Sequence, residues 1–363
     1  MPGDSTERVE ADQAALSCAA CGGHCIFSPL KGQLECTSCG TAHGVETPED
    51  ADAAREFAYD PEAPENDPPE LTRERIYQCR NCGGAVLFVG AALSEHCPYC
   101  NGPVVLGTGD AGYRTKALVP FRADHGFARR QMRAWVGKRL AAPATLPALL
   151  EDARLAGLYA PFWTFDSHEA LQYWAKYTTG TGDNRRTHKT SGALQIAFDD
   201  LLMPASPHVT PLIRDGILHD FDPGSLRPFH AGYLAGFAAE RHHQSVAQGL
   251  AANAPDKKLL IRNRIRHHIN KSGVHDIRYQ TDTTGIHYRR ILLPVWIAHY
   301  SYDGKPMKVV VSGIDGRTFG ERPFSKWKLA AYAAGLSAIA IALGLAWGAA
   351  GCSDAGRFLH LGD

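Results

Sequence analysis

Hydrophobic and polar positions change rhythm several times along this chain of 363 residues. After Asp124, the residues Ala128, Met132, Trp135, Val136 and Leu140 recur at i, i+4, i+7, i+8 and i+12. That spacing predicts one buried face of an α-helix. Arg129, Arg130, Arg133, Lys138 and Arg139 make the rest of that helix basic, and Pro143 and Pro147 end it. The basic face reads as solvated, with contact to anionic lipid or phosphate as the sharper alternative. The period then becomes two. Leu171, Tyr173, Ala175 and Tyr177 alternate with polar neighbours and Gly180–Asn184 forms a turn. His188, Thr190, Gly192, Leu194, Ile196 and Phe198 return, predicting a long hairpin. Two helices are expected at His230–Leu250 and Pro255–Lys271. The second carries Leu260, Ile261, Ile265 and Ile269 among Lys257, Lys258, Arg262, Arg264 and Arg266. A strand over about 274–289 runs on into Ile291–Tyr302. Asp303-Gly304 marks a hairpin turn, and Met307–Ser312 returns.

The last pattern is an uncharged run, Leu329–Ala350, of 22 residues. At the helical rise it spans about 33 Å, enough for a hydrocarbon core of about 30 Å. Arg317, Arg322, Lys326 and Lys328 precede it and Arg357 follows, which places the N-terminal side in the cytoplasm. Trp327, Tyr332 and Trp347 sit where an aromatic belt would. Gly344 and Gly348 form a Gly-x-x-x-Gly spacing that could pair two such helices. A run of that length in an Ala- and Gly-rich span also contains such spacings by chance. The start of the chain, Met1–Gln13, is polar and acidic and is not expected to be a cleaved signal peptide.

Cysteine supplies the candidate chemistry. Cys18-x-x-Cys21 is followed after fourteen residues by Cys36-x-x-Cys39, and Cys79-x-x-Cys82 after fourteen by Cys97-x-x-Cys100. Two equal copies with this separation predict two zinc ribbons, one ion each. Disulfides or free thiols are the alternative, and iron is the competing metal for four thiolates. Four thiolates close a tetrahedron and leave no open position, so the metal is expected to be structural. It also solves a folding problem, since segments this short have too little core to fold alone. Cys25 lies off the pattern and reads as a spare thiol able to compete for metal. With eight of ten cysteines in ribbons, a reducing compartment is expected.

Composition adds a few bounds. Formal net charge is zero, from 38 basic and 38 acidic residues, so the chain lacks the polycationic balance of a nucleic-acid binder. Glu46–Glu70 holds ten acidic residues against Arg55 alone, together with Pro48, Pro61, Pro64, Pro68 and Pro69. Such a stretch predicts a flexible extended linker. The 17 histidines include the adjacent pairs His242-His243 and His267-His268, which do not share a helix face, and there is no His-Glu-x-x-His. A phosphate-binding Gly-x-x-x-x-Gly-Lys-Ser/Thr loop is absent from the sequence, which counts against a nucleotide-driven motor.

Several segments carry a family resemblance: the twin ribbons, Ala117–Phe121 with its basic helix, Gly157–Trp163, Gly232–Arg241, Leu292–Trp296 and Gly320–Ser325 ahead of the apolar run. Together they resemble bacterial zinc-ribbon membrane proteins. Such proteins are often labelled primosomal protein N-prime (replication factor Y) or superfamily II helicase-like, or transcription-factor-B-type zinc-ribbon proteins. The resemblance implies a membrane adaptor, with flotillin-like or phage-shock-type membrane proteins as partners.

The expected fold is therefore α+β: ribbon 1 over 1–45, the acidic linker over 46–75 and ribbon 2 over 76–110. An α+β cytoplasmic domain with antiparallel hairpins follows over 111–325, then a transmembrane helix over 326–351 and a short extracytoplasmic tail over 352–363. The metal ligands are Cys18, Cys21, Cys36, Cys39, Cys79, Cys82, Cys97 and Cys100, holding two structural Zn2+ ions. The expected function is a non-enzymatic adaptor at the inner membrane that binds membrane-associated proteins. The alternative is nucleic-acid binding through the ribbons, for which Arg73, Arg75 and Arg80 supply some charge. A zinc hydrolase built on the histidines is a third, disfavoured reading.

Overall fold

The computed structural model describes residues 16–45, 55–63, 69–71, 76–88, 96–107, 111–217 and 221–355. Residues before 16, most of the acidic stretch and the tail beyond 355 lie outside the described residues. The strands are, in order, β1 (Cys25–Ser28), β2 (Gln33–Cys36), β3 (Ala42–His43), β4 (Phe57–Ala58), β5 (Glu70–Leu71), β6 (Ile76–Cys79), β7 (Ala85–Phe88), β8 (Val104–Leu106) and β9 (Ala111–Gly112). They continue with β10 (Ala117–Leu118), β11 (Arg154–Thr179), β12 (Arg186–Pro204), β13 (Arg227–Pro228), β14 (Ala238–Glu240), β15 (His275–Tyr302), β16 (Lys305–Ser312) and β17 (Thr318–Gly320). The helices are α1 (His125–Gly137), α2 (Leu146–Glu151), α3 (Pro211–Ile217), α4 (Val246–Ile269) and α5 (Lys326–Ala355).

Two very long strands organise the molecule. β11 and β15 pair antiparallel from Arg154↔His299 to Lys176↔His275. Their central segments, Leu158–Trp163 and Ile291–Ala298, are buried on both faces, so they read as unbroken apolar runs. Further out, Leu171, Tyr173 and Ala175 are buried while Gln172 and Trp174 are exposed, so only one face is covered there. Helix α4 covers it. Ile261 and Ile265 pack with Leu171, Tyr173, Ile196, Phe198 and Ile277. The hairpin expected from the alternation is present, with Thr179 opposite Arg186, and β12 carries it on to Pro204. Asp303 and Gly304, at φ 49° and 72°, make the tight turn into β16. Among the described residues the main sheet has twelve strands. The fold is thus mixed α and β but dominated by one sheet.

Helix α1 follows its pattern. Asp124 caps it by accepting the Phe127 N–H at 2.6 Å, and Ala128, Met132, Trp135 and Val136 are buried. Its basic face is not simply solvated. Arg129 donates to the carbonyls of Glu151 (2.6 Å) and Ala153 (3.1 Å), and Arg133 pairs with the Glu151 carboxylate, so a cation caps the C-terminal end of α2.

Three expectations are corrected. Leu140 lies past the end of α1 and is 73% exposed. The two helices expected over 230–271 are a 3-10 turn at Ala231–Leu234, strand β14, and one helix, α4, that contains Pro255. A capping box between Ser245 and Gln248 starts α4 late. Pro255 is tolerated because it and Ala251, whose carbonyl loses its partner, are exposed to solvent. Third, the acidic stretch over 46–75 is anchored in its middle. β4 pairs with β15 at His287 and Tyr288, and the Tyr59 N–H donates to the Ile286 carbonyl at 2.9 Å. The apolar Phe57 and the carboxylate of Glu56 do this, inside a composition that otherwise reads as spacer.

Candidate metal centres

Each ribbon is built from two tight turns. Gly22, Gly40 and Gly83 stand at φ 70°, 73° and 76°, and each donates its N–H to the carbonyl of the first cysteine of its knuckle, at 2.8, 3.0 and 3.0 Å. A side chain would strain these left-handed positions. Asn101, at φ 61°, fills the fourth such position and donates to Cys97 at 2.8 Å. The turns aim amides at sulfur. The Gly102 N–H reaches Cys100 Sγ and the Asn81 N–H reaches Cys79 Sγ, each at 3.4 Å. Gly102 has no room for a side chain, since a Cβ there would lie 2.7 Å from Asn81 Cβ.

The geometry fits zinc. Cys21 Sγ lies 3.4 Å from Cys39 and 3.5 Å from Cys36, and Cys18 lies 3.6 Å from Cys39. In the second centre Cys79–Cys100 is 3.5 Å and Cys82–Cys97 is 3.8 Å. Four sulfurs at the usual zinc–thiolate bond length sit about 3.8 Å apart, whereas a disulfide needs about 2.05 Å. Both sets of four expected ligands are thus brought together, within 4.8 Å of one another. Local groups favour the thiolate at some ligands and oppose it at others, since burial pushes Cys82 up to about 11 and raises Cys97. The Thr41 hydroxyl, with the Thr41 backbone N–H, holds Cys39 down at about 6, and the Cys39 and Ser38 amides lower Cys36. With every ligand position filled by sulfur, such a centre holds a fold together and offers a substrate no open site.

Two residues join the first centre from outside its motif. Cys25 is buried, directly across from Cys36 in the β1–β2 ladder. His43 places Nε2 at 3.2 Å from Cys18 Sγ, and Cys18, Cys25 and His43 form a second ligand-spaced group. The spacing rule could not find His43. It is adjacent only because β3 pairs with β2, with His43 opposite Leu34.

Both ribbons are part of the larger fold rather than heads on a tether. In ribbon 1, the Phe27 N–H donates to the Ala235 carbonyl at 2.9 Å, and the Phe27 ring meets Tyr233 edge-on at 5.2 Å. Ribbon 2 is in the main sheet itself, since β7 pairs with β14 and β14 with β11. Its second knuckle is held from several sides. His299 Nε2 lies 2.8 Å from the Pro98 carbonyl and Lys308 donates to the Tyr99 carbonyl at 3.0 Å. The Tyr99 hydroxyl donates to Glu240, which also accepts from Ser206 at 2.8 Å. Burial pushes Glu240 up to about 7, against the pull of those two donors.

A third group joins Glu56, Asp166 and Asp200. Arg289 bridges Glu56 (3.0 Å) and Asp200, so this group reads as the ion-paired staple of β4 onto β15. Burial, and then Asp166, raise Glu56. Of the histidines, His242 is fully buried between Thr115 Oγ1 (3.2 Å) and the Phe162 carbonyl (3.0 Å), a core role.

No family model matches the chain, and no solved structure matches it. An uncharacterized protein of Bacillus subtilis (strain 168), YdjG, is 27% identical over 340 residues, covering 89% of this chain and 94% of that one.

Proposed function

We propose that the chain is a non-enzymatic zinc-ribbon adaptor of the bacterial inner membrane, anchored by Leu329–Ala350 with its bulk on the cytoplasmic face. The observation that carries this reading is the pairing of two closed four-thiolate centres, one in its own three-stranded sheet packed on the domain and one in the main sheet, with an apolar helix none of whose described residues is buried. Lys326–Trp347 has mean hydropathy 2.0 and none of it is buried. Closed centres argue for a structural role of zinc. The basic residues ahead of the helix support the cytoplasmic orientation. The partner class is membrane-associated proteins, of the flotillin-like or phage-shock type that the sequence resemblance implies. The open face around Gly344, where a Cβ would meet nothing within 4 Å, is free to pair with a second copy or an anchored partner.

Capture of the tagged full chain from crosslinked membranes tests this. The expected result is a membrane protein enriched over a control lacking ribbon 2, Cys79→Ser with Cys97→Ser. Equal capture by both, or no partner above background, sinks the adaptor. The alternative, nucleic-acid binding, is supported instead if the solubilised chain binds duplex or single-stranded probes with an affinity that falls steeply with salt.

A further inference from the structure

We propose that the loop between α1 and α2, residues 138–142, is a second membrane contact that seats the folded domain on anionic lipid headgroups beside the apolar helix. The inference rests on the reading of α5 as a membrane span. Three hydrogen bonds fix the loop against the start of that helix. The Ser325 N–H donates to the Ala141 carbonyl at 2.9 Å, and Lys328 Nζ donates to the Ala142 carbonyl at 2.8 Å. The Tyr332 hydroxyl donates to the Leu140 carbonyl at 3.4 Å. Tyr332 is the fourth residue of the uncharged run Leu329–Ala350. Whatever depth the run takes, Leu140 shares the depth of its first turn, where headgroups give way to acyl chains.

The chemistry of the loop suits that depth. Leu140 is 73% exposed although it is apolar, and Phe324 and Trp327 are exposed on the adjoining segment. These are the side chains that rest in an interface. Around them stand Lys138, Arg139, Arg322 and Lys326, with Arg322 over the Phe324 ring at 5.4 Å. The acidic neighbour, Glu321, is engaged by the Lys308 N–H at 2.9 Å. Cations flanking exposed apolar tips, fixed at one level, are the arrangement that binds an anionic lipid surface. It also gives the exposed Lys138 a role, whereas Arg129 and Arg133 are consumed by α2 and the Arg139 guanidinium lies over the Trp135 ring at 5.2 Å.

The test uses the full chain in nanodiscs, with benzoylphenylalanine at position 140 or, as a control, at 187 on the far hairpin. Resistance to alkaline extraction from cell membranes first tests the span itself, so failure there is distinguishable. With the span intact, illumination should give a one-phospholipid mass adduct at 140 and none at 187. The yield at 140 should be higher in discs containing phosphatidylglycerol than in phosphatidylcholine alone. In Lys138→Gln with Arg139→Gln, that yield ratio should fall to about one, because the charges supply the preference. Equal adducts at both positions, no adduct at 140, or a ratio unmoved by the double variant would overturn the proposal.

Discussion

The phenol of Tyr99, inside the last cysteine knuckle, donates to the buried carboxylate of Glu240 on β14. This contact joins ribbon 2 to the sheet, and it has a pH signature. The Glu240 carboxyl stands at about 7 in the fold against an ordinary 4.5, because it is buried. Folding therefore takes up a proton between those values. Stability from this group is full below the lower one and is lost as pH rises through the upper one, about 3 kcal/mol in all. Glu240→Gln removes the ionisation. Its stability relative to wild type should rise between pH 5 and pH 8 in urea titrations at each pH. A difference flat with pH would contradict the buried carboxylate.

Metal counting on the purified chain should give two zinc ions, from the two ligand sets. Cys18→Ser and Cys79→Ser should each lose one. Cys25→Ser should keep both, since Cys25 is outside the four-sulfur set. Chelation should cost more of the main sheet at ribbon 2, whose strands β6, β7 and β8 belong to it, and hydrogen exchange at the β7–β14 pairs would register it.

Gly249 on α4 lies flat against Trp163. A Cβ there would sit 2.8 Å from Trp163 Nε1 and Cε2. Alanine normally helps a helix by about 1 kcal/mol, but overpacking costs about 1–3 kcal/mol, so Gly249→Ala should destabilise. Thermal denaturation checks the sign.

Anchoring of β4 is likewise open to test. The Phe57 ring packs on Tyr288 at 5.9 Å, and Glu56 pairs with Arg289. Phe57→Ala should unpair this short strand without unfolding the sheet. The readout is loss of hydrogen-exchange protection at the Tyr59 amide, which is bonded to Ile286.

Much of this molecule was legible because local chemistry dictated it. Cysteine spacing found all eight sulfurs of the two ligand sets, and period-two alternation from Leu171 found the hairpin. Asp303-Gly304 marked the turn between β15 and β16, and the apolar spacing after Asp124 marked the start of α1. What stayed hidden depends on partners far away in sequence. The apolar spacing over His230–Leu250 fits a helix, yet β14 extends because β7 and β11 offer it ladders on both sides. Phe57 sits in an acidic, proline-rich stretch, and only the edge of β15 makes it a strand. His43 and Glu240 became neighbours of the cysteine centres through pairing, without any signature of their own.

The separation between Tyr99 and Glu240, 141 residues, also sets an order of assembly. At a synthesis rate of about 5–20 residues per second, the last knuckle emerges roughly ten seconds before its carboxylate partner exists. The ribbons are thus early units, loaded with metal while the ladders that will receive them are still untranslated. A ribosome-held nascent chain ending near residue 150 should already retain zinc at both centres, and one ending before Cys97 should retain it only at the first centre.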